Sequence, residues 1–345
     1  MRRPFHDLSR SWPYVLGASL IFLLAVMGIS LGFGAVKFSA QDLWAWVSGS
    51  TDAQTQLILN RLRLPRTLLA ALVGALLAIC GTATQGLFRN SLADPSLIGV
   101  SAGAAAGAGG VIVFLNHVQW NLWGLSLVSL GAFAGGLLVV WFVYRLASGV
   151  TGTSVTTMLL AGIAFTFLAG ALTGLLEFIA DNDMLRRISL WRMGGLEGAE
   201  ATRIALMAVI TAIILSILLR QRRALNALLL GESEARYLGI DVQKLQRTVI
   251  ICVALGMGVC VAVAGTISFI GLVVPHMVRM LTGPDHRYVL PLSAVTGAIL
   301  LVVADAFART VMAPTELPVG LVTAFIGAPV FISLLRQRGY AGIGA

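Results

Sequence analysis

Long runs of Leu, Val, Ala, Gly and Ile, each bounded by a few polar positions, recur along the whole chain. A bilayer core about 30 Å thick needs roughly 20 apolar residues per helix at 1.5 Å of rise each. Runs of that length predict about ten spans: 13–35, 65–88, 96–115, 120–146, 154–176, 200–220, 246–266, 267–281, 288–309 and 318–336. The eighth is the shortest and is interrupted by Pro275. The first follows Arg2 and Arg3 as a secretory leader would, but it is longer than a leader's apolar region and lacks a small-residue cleavage site. It is read as a retained span. The expectation is an all-α polytopic membrane protein, with residues 1–345 forming one transmembrane domain.

Composition sharpens this reading. Of 345 residues, 58% are hydrophobic and only 11% charged, too little polar surface for a soluble domain of this size. With the N-terminus inside and an even number of spans, fifteen Lys and Arg fall inside and nine outside, against six and nine acids. The whole net charge of +9 then lies on the inner face, as the positive-inside rule requires, and both termini are expected to be cytoplasmic. The basic balance reads as topology. No basic groove with interleaved aromatics is present, so nucleic-acid binding is not expected.

Several chemistries lack their residues. The only lysines, Lys37 and Lys244, do not follow Gly, so there is no phosphate-cradling Gly-x-x-x-x-Gly-Lys loop. Ion-coupled carriers place ionisable groups at midspan, whereas here Asp305 and Arg309 stand out, spaced i,i+4 near the outer end of the ninth span and compatible with a helix-surface ion pair. His6, His117, His276 and His286 show no ligand pairing, and Cys80, Cys252 and Cys260 lie in apolar spans without Cys-x-x-Cys spacing. No metal site, catalytic residue or cofactor is expected. For a transport role, coupling through a separate energising subunit is the expectation.

The 38 glycines cluster within spans, as at Gly103, Gly107, Gly131 and Gly135, where they predict close helix packing in lipid. Ala78–Thr82 followed by Gly86-Leu87 echoes Ala262–Thr266 followed by Gly271-Leu272, with the copies near opposite faces, as in the inverted repeats of transporters. Three polar stretches remain: 36–64 and 177–199 outside, and 220–247 inside. Within the last, Gly231 can open a short helix, Glu232 and Glu234 suit its positive end, and Gly239 can close it. Such a helix would be an acidic, amphipathic knob for a protein partner, or a plain surface turn.

Taken together, Arg63-Leu-Pro-Arg66, Gln85-Gly-Leu-Phe-Arg-Asn-Ser-Leu-Ala-Asp-Pro95 with Leu97-Ile-Gly-Val-Ser-Ala-Gly103, Leu160-Ala-Gly162, the 230–239 segment, Phe269-Ile-Gly-Leu-Val-Val-Pro-His276, Glu316-Leu-Pro-Val-Gly320 and Gly327-Ala-Pro-Val-Phe331 carry a resemblance. Along nearly its whole length the chain resembles the permease subunit of ABC importers for iron chelates, haem and cobalamin, the FecCD type. Asn90-Ser91-Leu92 stands where Asn-Pro-Leu is usual, a change expected to alter only a loop.

The resemblance implies the inverted-repeat fold of type II ABC importer permeases, with ten helices. It also implies a homodimer with a pathway at the subunit interface, two cytoplasmic ATPase subunits below, and one periplasmic binding protein above, in a bacterial inner membrane. It places the ATPase-coupling element at Gly231, Glu232, Ser233, Glu234, Ala235, Arg236, Tyr237, Leu238 and Gly239. Docking of the binding protein falls to Arg63, Arg66 and Arg309, and the inner gate to Val155 and Thr156. Asp94 and Pro95 are expected to cap and start the third span. Arg186, Arg187 and Arg192 form a candidate substrate mouth; the alternative is that they neutralise Asp181 and Asp183. Haem is the favoured cargo, with ferric siderophores beside it. Trp191-Arg-Met-Gly-Gly195 resembles cobalamin permeases equally, so a cobalamin importer stays open, as does an ATP-independent secondary carrier.

Overall fold

The computed structural model describes residues 8–342 except 116, 119, 123–124 and 150–151. Arg2, Arg3 and His6 lie outside the described residues.

The chain is a helical bundle. In order it forms α1 (Leu8–Gly32), α2 (Ala40–Val47), α3 (Ala53–Leu57), a π-helical segment (Ile58–Arg63) running into α4 (Leu64–Leu87), a 3-10 turn (Pro95–Ile98) and α5 (Val100–Phe114). A two-residue hairpin, β1 (Asn121–Leu122) and β2 (Leu125–Ser126), precedes α6 (Leu127–Ala147), and a second, β3 (Ser148–Gly149) and β4 (Gly152–Thr153), precedes α7 (Val155–Ile179). Then come α8 (Asn182–Arg192), α9 (Ala201–Arg220), α10 (Arg222–Leu228), α11 (Glu232–Tyr237), α12 (Val242–Ala264), α13 (Ile270–Thr282), α14 (His286–Ala308) and α15 (Val319–Gly342). Among the described residues, seven helices are long and apolar enough to cross a membrane, and three shorter apolar ones, within α5, α13 and α15, complete a set of ten.

The differences from the sequence expectation have local causes. The fourth span starts at Leu127 because Asn121–Leu122 pairs with Leu125–Ser126 and Ser126 caps α6. Asp94 caps the 3-10 turn through Ser96; Gly99, left-handed at φ +81°, then redirects the chain so that α5 begins at Val100. Pro275 does not interrupt α13. A proline withholds the N–H that would bond to the carbonyl four residues back, here Gly271, and crowds that carbonyl with its ring; the Gly271 carbonyl faces Gly81 of α4, where a methyl group would overlap it. The echoed segments differ in form: Ala78–Thr82 is continuous helix, whereas Gly265 ends α12 at φ +65°.

Packing follows the small residues. Gly74 of α4 abuts the Gly297 backbone of α14, and Gly107 of α5 abuts that of Gly131 in α6, contacts that any side chain at these positions would block. α4, α12 and α14 thus form the buried centre, while α1, α7 and α9 lie outside it. Apart from the helix ends, the connection between α1 and α4 is polar and exposed. There the Ser39 amide and hydroxyl donate to Asp42 in a capping box, holding this carboxyl below the usual carboxylate range.

Candidate functional site

At the predicted outer end, Arg63, Arg66 and Arg309 come together although 246 positions in sequence separate the first from the last. The i,i+3 spacing of Arg63 and Arg66 spans the junction of the π-helical segment with α4, whose Pro65 sits in the first turn. The centre of the cluster is Asp305, 1% exposed on α14. Arg66 Nε donates to its Oδ1 at 2.9 Å, and Arg309 Nε lies 3.0 Å from Oδ2. Asp305 and Arg309 are therefore no surface pair: a buried carboxylate shared by two guanidiniums replaces the exposed i,i+4 contact expected from spacing.

The remaining donors of the cluster are also engaged. Arg66 pairs with Glu316 beyond α14, and Arg309 donates to Ser30 Oγ at 2.9 Å and to the Phe33 carbonyl at 3.3 Å. Arg63 donates to the carbonyls of Leu31, at 2.5 Å, and Val36, and its guanidinium covers the Phe38 ring at 4.4 Å. α1 and α14 are thereby tied to α4. Beside them an open cavity of about 530 Å³ is lined by Arg61, Arg63, Arg66, Glu197, Arg309 and Glu316. Arg61 is exposed there, a fourth arginine beside the three expected for docking.

The other predicted outer arginines lie on α8, which Asp181 caps through Met184. All three are exposed, but only Arg192 reaches a second open cavity, of about 570 Å³, with Ser101, Ser189, Thr266, Ser268 and Gly320. Arg192 pairs with Glu177 at 2.6 Å rather than with Asp181 or Asp183. Phe269, next to this cavity's Ser268, holds a left-handed φ of +69° and packs against Gly327 of α15. A bulky residue in that region of φ,ψ space is strained and persists only where surrounding structure enforces it. Sequence offered one signal for it, the Phe269-Ile-Gly motif.

At the predicted inner end, Val155 and Thr156 form the first turn of α7, just after the β3–β4 hairpin and the Ser154 cap, with Val155 half-buried and Thr156 exposed. The 231–239 segment is a short helix as its glycines suggest: Gly231 stands before it at φ +137° and Gly239 after it at φ +79°. Its one fully buried side chain is Ala235, while Tyr237 is 90% exposed and Leu238 is exposed beside it. Glu232 bonds Gln246 of α12 at 3.2 Å and lies 3.8 Å from Arg236. The helix is thus seated on the bundle by one small residue and presents an aromatic and aliphatic tip outward. In the 88–92 loop, Asn90 Oδ1 accepts the Leu92 amide at 2.9 Å, so the Ser91 departure lies inside a locally closed turn.

Among the described residues no group of three or more His, Cys, Asp or Glu is placed to hold a metal, and the three cysteines are free and buried.

Comparison with known proteins fits this architecture. Residues 21–337 match the FecCD transport family. The chain is 43% identical over 333 residues to the hemin transport system permease protein HmuU of Yersinia pestis, covering 95% of this chain and 98% of that one. It is 40% identical over 328 residues to the vitamin B12 import system permease protein BtuC of Salmonella typhi, covering 95% and 96%. A solved structure described as the inward-facing conformation of an ABC transporter, assigned to the metal-chelate type, superposes with a TM-score of 0.82 at 32% identity, covering 94% and 99%. PsaBC from Streptococcus pneumoniae, at a TM-score of 0.53 and 15% identity, shares the fold alone. With ten apolar helices and these relatives, the chain belongs to the FecCD transport family and is the multi-pass membrane permease component of an ABC importer.

Proposed function

We propose that this permease imports an iron chelate from periplasm to cytoplasm, with haem as the first cargo and ferric siderophores next. The observation that carries the reading is end-to-end similarity to a hemin permease, at 43% identity. The exposed arginines of α8 supply local cationic groups suited to an anionic cargo such as a propionate-bearing chelate. Cobalamin is the second reading, favoured by the 40% identity to a vitamin B12 permease over nearly the same length.

In this reading two copies of the chain pair, with both termini cytoplasmic, and the cargo passes between them. A periplasmic binding protein docks over the Arg63, Arg66 and Arg309 cluster, its carboxylates exchanging with Glu316 for Arg66; Arg–carboxylate pairs are bidentate and fix orientation. Two ATPase subunits grip α11 by its Tyr237 and Leu238 tip. ATP-driven closure displaces that helix and swings the gate at Val155 and Thr156. The pathway itself needs only weak attraction, because tight binding would hold the cargo.

The test is reconstitution in proteoliposomes with the cognate ATPase and binding protein, the latter loaded in turn with haem, a ferric siderophore and cobalamin. ATP-dependent uptake of haem is expected. Preference for cobalamin would move the cargo to the second reading, and concentrative uptake by the permease without an ATPase would end the importer reading in favour of a secondary carrier. Replacing Ala235 with Arg should leave ATP hydrolysis running and abolish uptake, since the buried seat of α11 has no room for a guanidinium.

A further inference from the structure

A buried polar array lies where α10, the helix just before the coupling segment, meets the inner ends of three membrane helices. His286, 0% exposed at the start of α14, is its centre. Its Nδ1 lies 2.8 Å from Asn226 Oδ1, and its backbone N–H donates to the same oxygen at 2.9 Å. Asn226 Nδ2 donates to Asp285 Oδ1 at 2.6 Å, and His286 Nε2 lies 3.3 Å from an Arg279 nitrogen on α13. Arg279 in turn donates to the Thr82 carbonyl of α4 at 3.1 Å.

These contacts have one consistent direction. A carboxylate only accepts, so the Asn226 NH2 must face Asp285 and its carbonyl must face His286. That carbonyl only accepts, so Nδ1 carries the imidazole proton and Nε2 is left to accept from Arg279. The result is a continuous donor chain, Arg279 to His286 to Asn226 to Asp285, joining α13, α14 and α10, with α4 pinned through Thr82. The fit leaves no slack: Gly86 of α4 faces His286, and a methyl group there would come within 2.7 Å of Nε2. Gln85 Nε2 also donates to the Leu272 carbonyl at 3.0 Å, a second bond between α4 and α13.

We infer that Asn226, His286 and Arg279 form a strut that carries displacement of the 222–239 segment to the inner ends of α4, α13 and α14. The inference rests on the proposed role of α11 as the ATPase contact. Apolar side chains between α10 and the bundle could slide when α11 moves. A directional chain of buried hydrogen bonds resists sliding, because each break leaves a buried donor or acceptor unpaired at a cost of about 1–3 kcal/mol. The three are positioning residues, remote from any cargo.

The experiment uses the complete complex of permease, ATPase and loaded binding protein in proteoliposomes, and reads cargo moved per ATP hydrolysed. Asn226→Leu keeps the branched shape and removes all three polar contacts. It should leave ATPase assembly and turnover within about twofold and lower the transport-to-ATP ratio about tenfold. His286→Gln, which can keep one contact, should fall between Asn226→Leu and the native protein, and serves alone if Asn226→Leu does not assemble. A native ratio in either variant would overturn the strut, as would a parallel fall of ATP hydrolysis, uptake and thermal stability, which marks a purely structural role. If the native complex itself shows no ATP-dependent uptake, the importer reading fails instead, so the two failures are distinguishable.

Discussion

α4 and α7 have nearly the same mean hydropathy, yet 83% of the apolar stretch of the first is buried and only 22% of the second. Both carry glycines at helical spacing. In α4, Gly74 and Gly81 lie against the backbones of α14 and α13; in α7, Gly170 and Gly174 face open space. Leu160, Phe167, Leu168 and Phe178 of α7 are exposed as well. Hydropathy reports that a segment tolerates lipid, and says nothing of whether lipid or protein surrounds it. What separates the two helices is how much of each approaches another backbone: of the α7 glycines only Gly162 does so, at Leu97, and such contacts depend on partners far away in sequence.

The contrast can be broken most severely at Gly81. Gly81→Leu must push apart α4 and α13, and folded, detergent-soluble protein should fail to accumulate; Gly170→Leu on α7 should yield a monodisperse product of native melting temperature. Equal behaviour of the two variants on size-exclusion chromatography would remove the distinction. Next in size is Asp305→Ala, which strips two arginines of their shared buried carboxylate. Loss of one partner from a buried pair costs about 3–5 kcal/mol, and thermal unfolding in detergent should fall accordingly, with no such loss for a peripheral pair such as Arg192–Glu177.

Smaller effects sharpen the same difference at the rim. Glu316, 35% exposed, is the outer carboxylate of Arg66. Exposed ion pairs contribute about 0.2–1 kcal/mol. Glu316→Gln should therefore leave melting nearly unchanged and raise affinity for the binding protein by up to about fivefold in surface plasmon resonance; unaltered affinity would remove Arg66 from the docking surface. Smallest of all, joint replacement of Cys80, Cys252 and Cys260 by Ala should leave ATP-dependent uptake intact with a modest loss of stability, since these thiols fill space between helices. Metal-dependent loss of uptake would restore them as ligands.

The local features were readable from residue order because their causes are local. Gly231 and Gly239 bound α11, Asp181 caps α8, and Pro65 opens α4, each within one turn of its effect. Spacing alone misjudged Asp305 and Arg309, since i,i+4 proximity on one helix is silent about Arg66, 239 positions earlier. It likewise found no pairing for His286 and left Asn226 unremarked, although the two are hydrogen-bonded across 60 positions.

Residue order by itself determined the solvent of this protein, the number and type of its apolar helices, and its family, because bilayer thickness and hydrogen-bond saturation act on each segment separately. Tertiary structure alone decided which helices are central, which arginines share a carboxylate, and how the segment before α11 is bonded to the bundle. Those outcomes depend on close contact between segments far apart in the chain, where a single missing methyl group or one correctly facing amide settles whether two helices can meet.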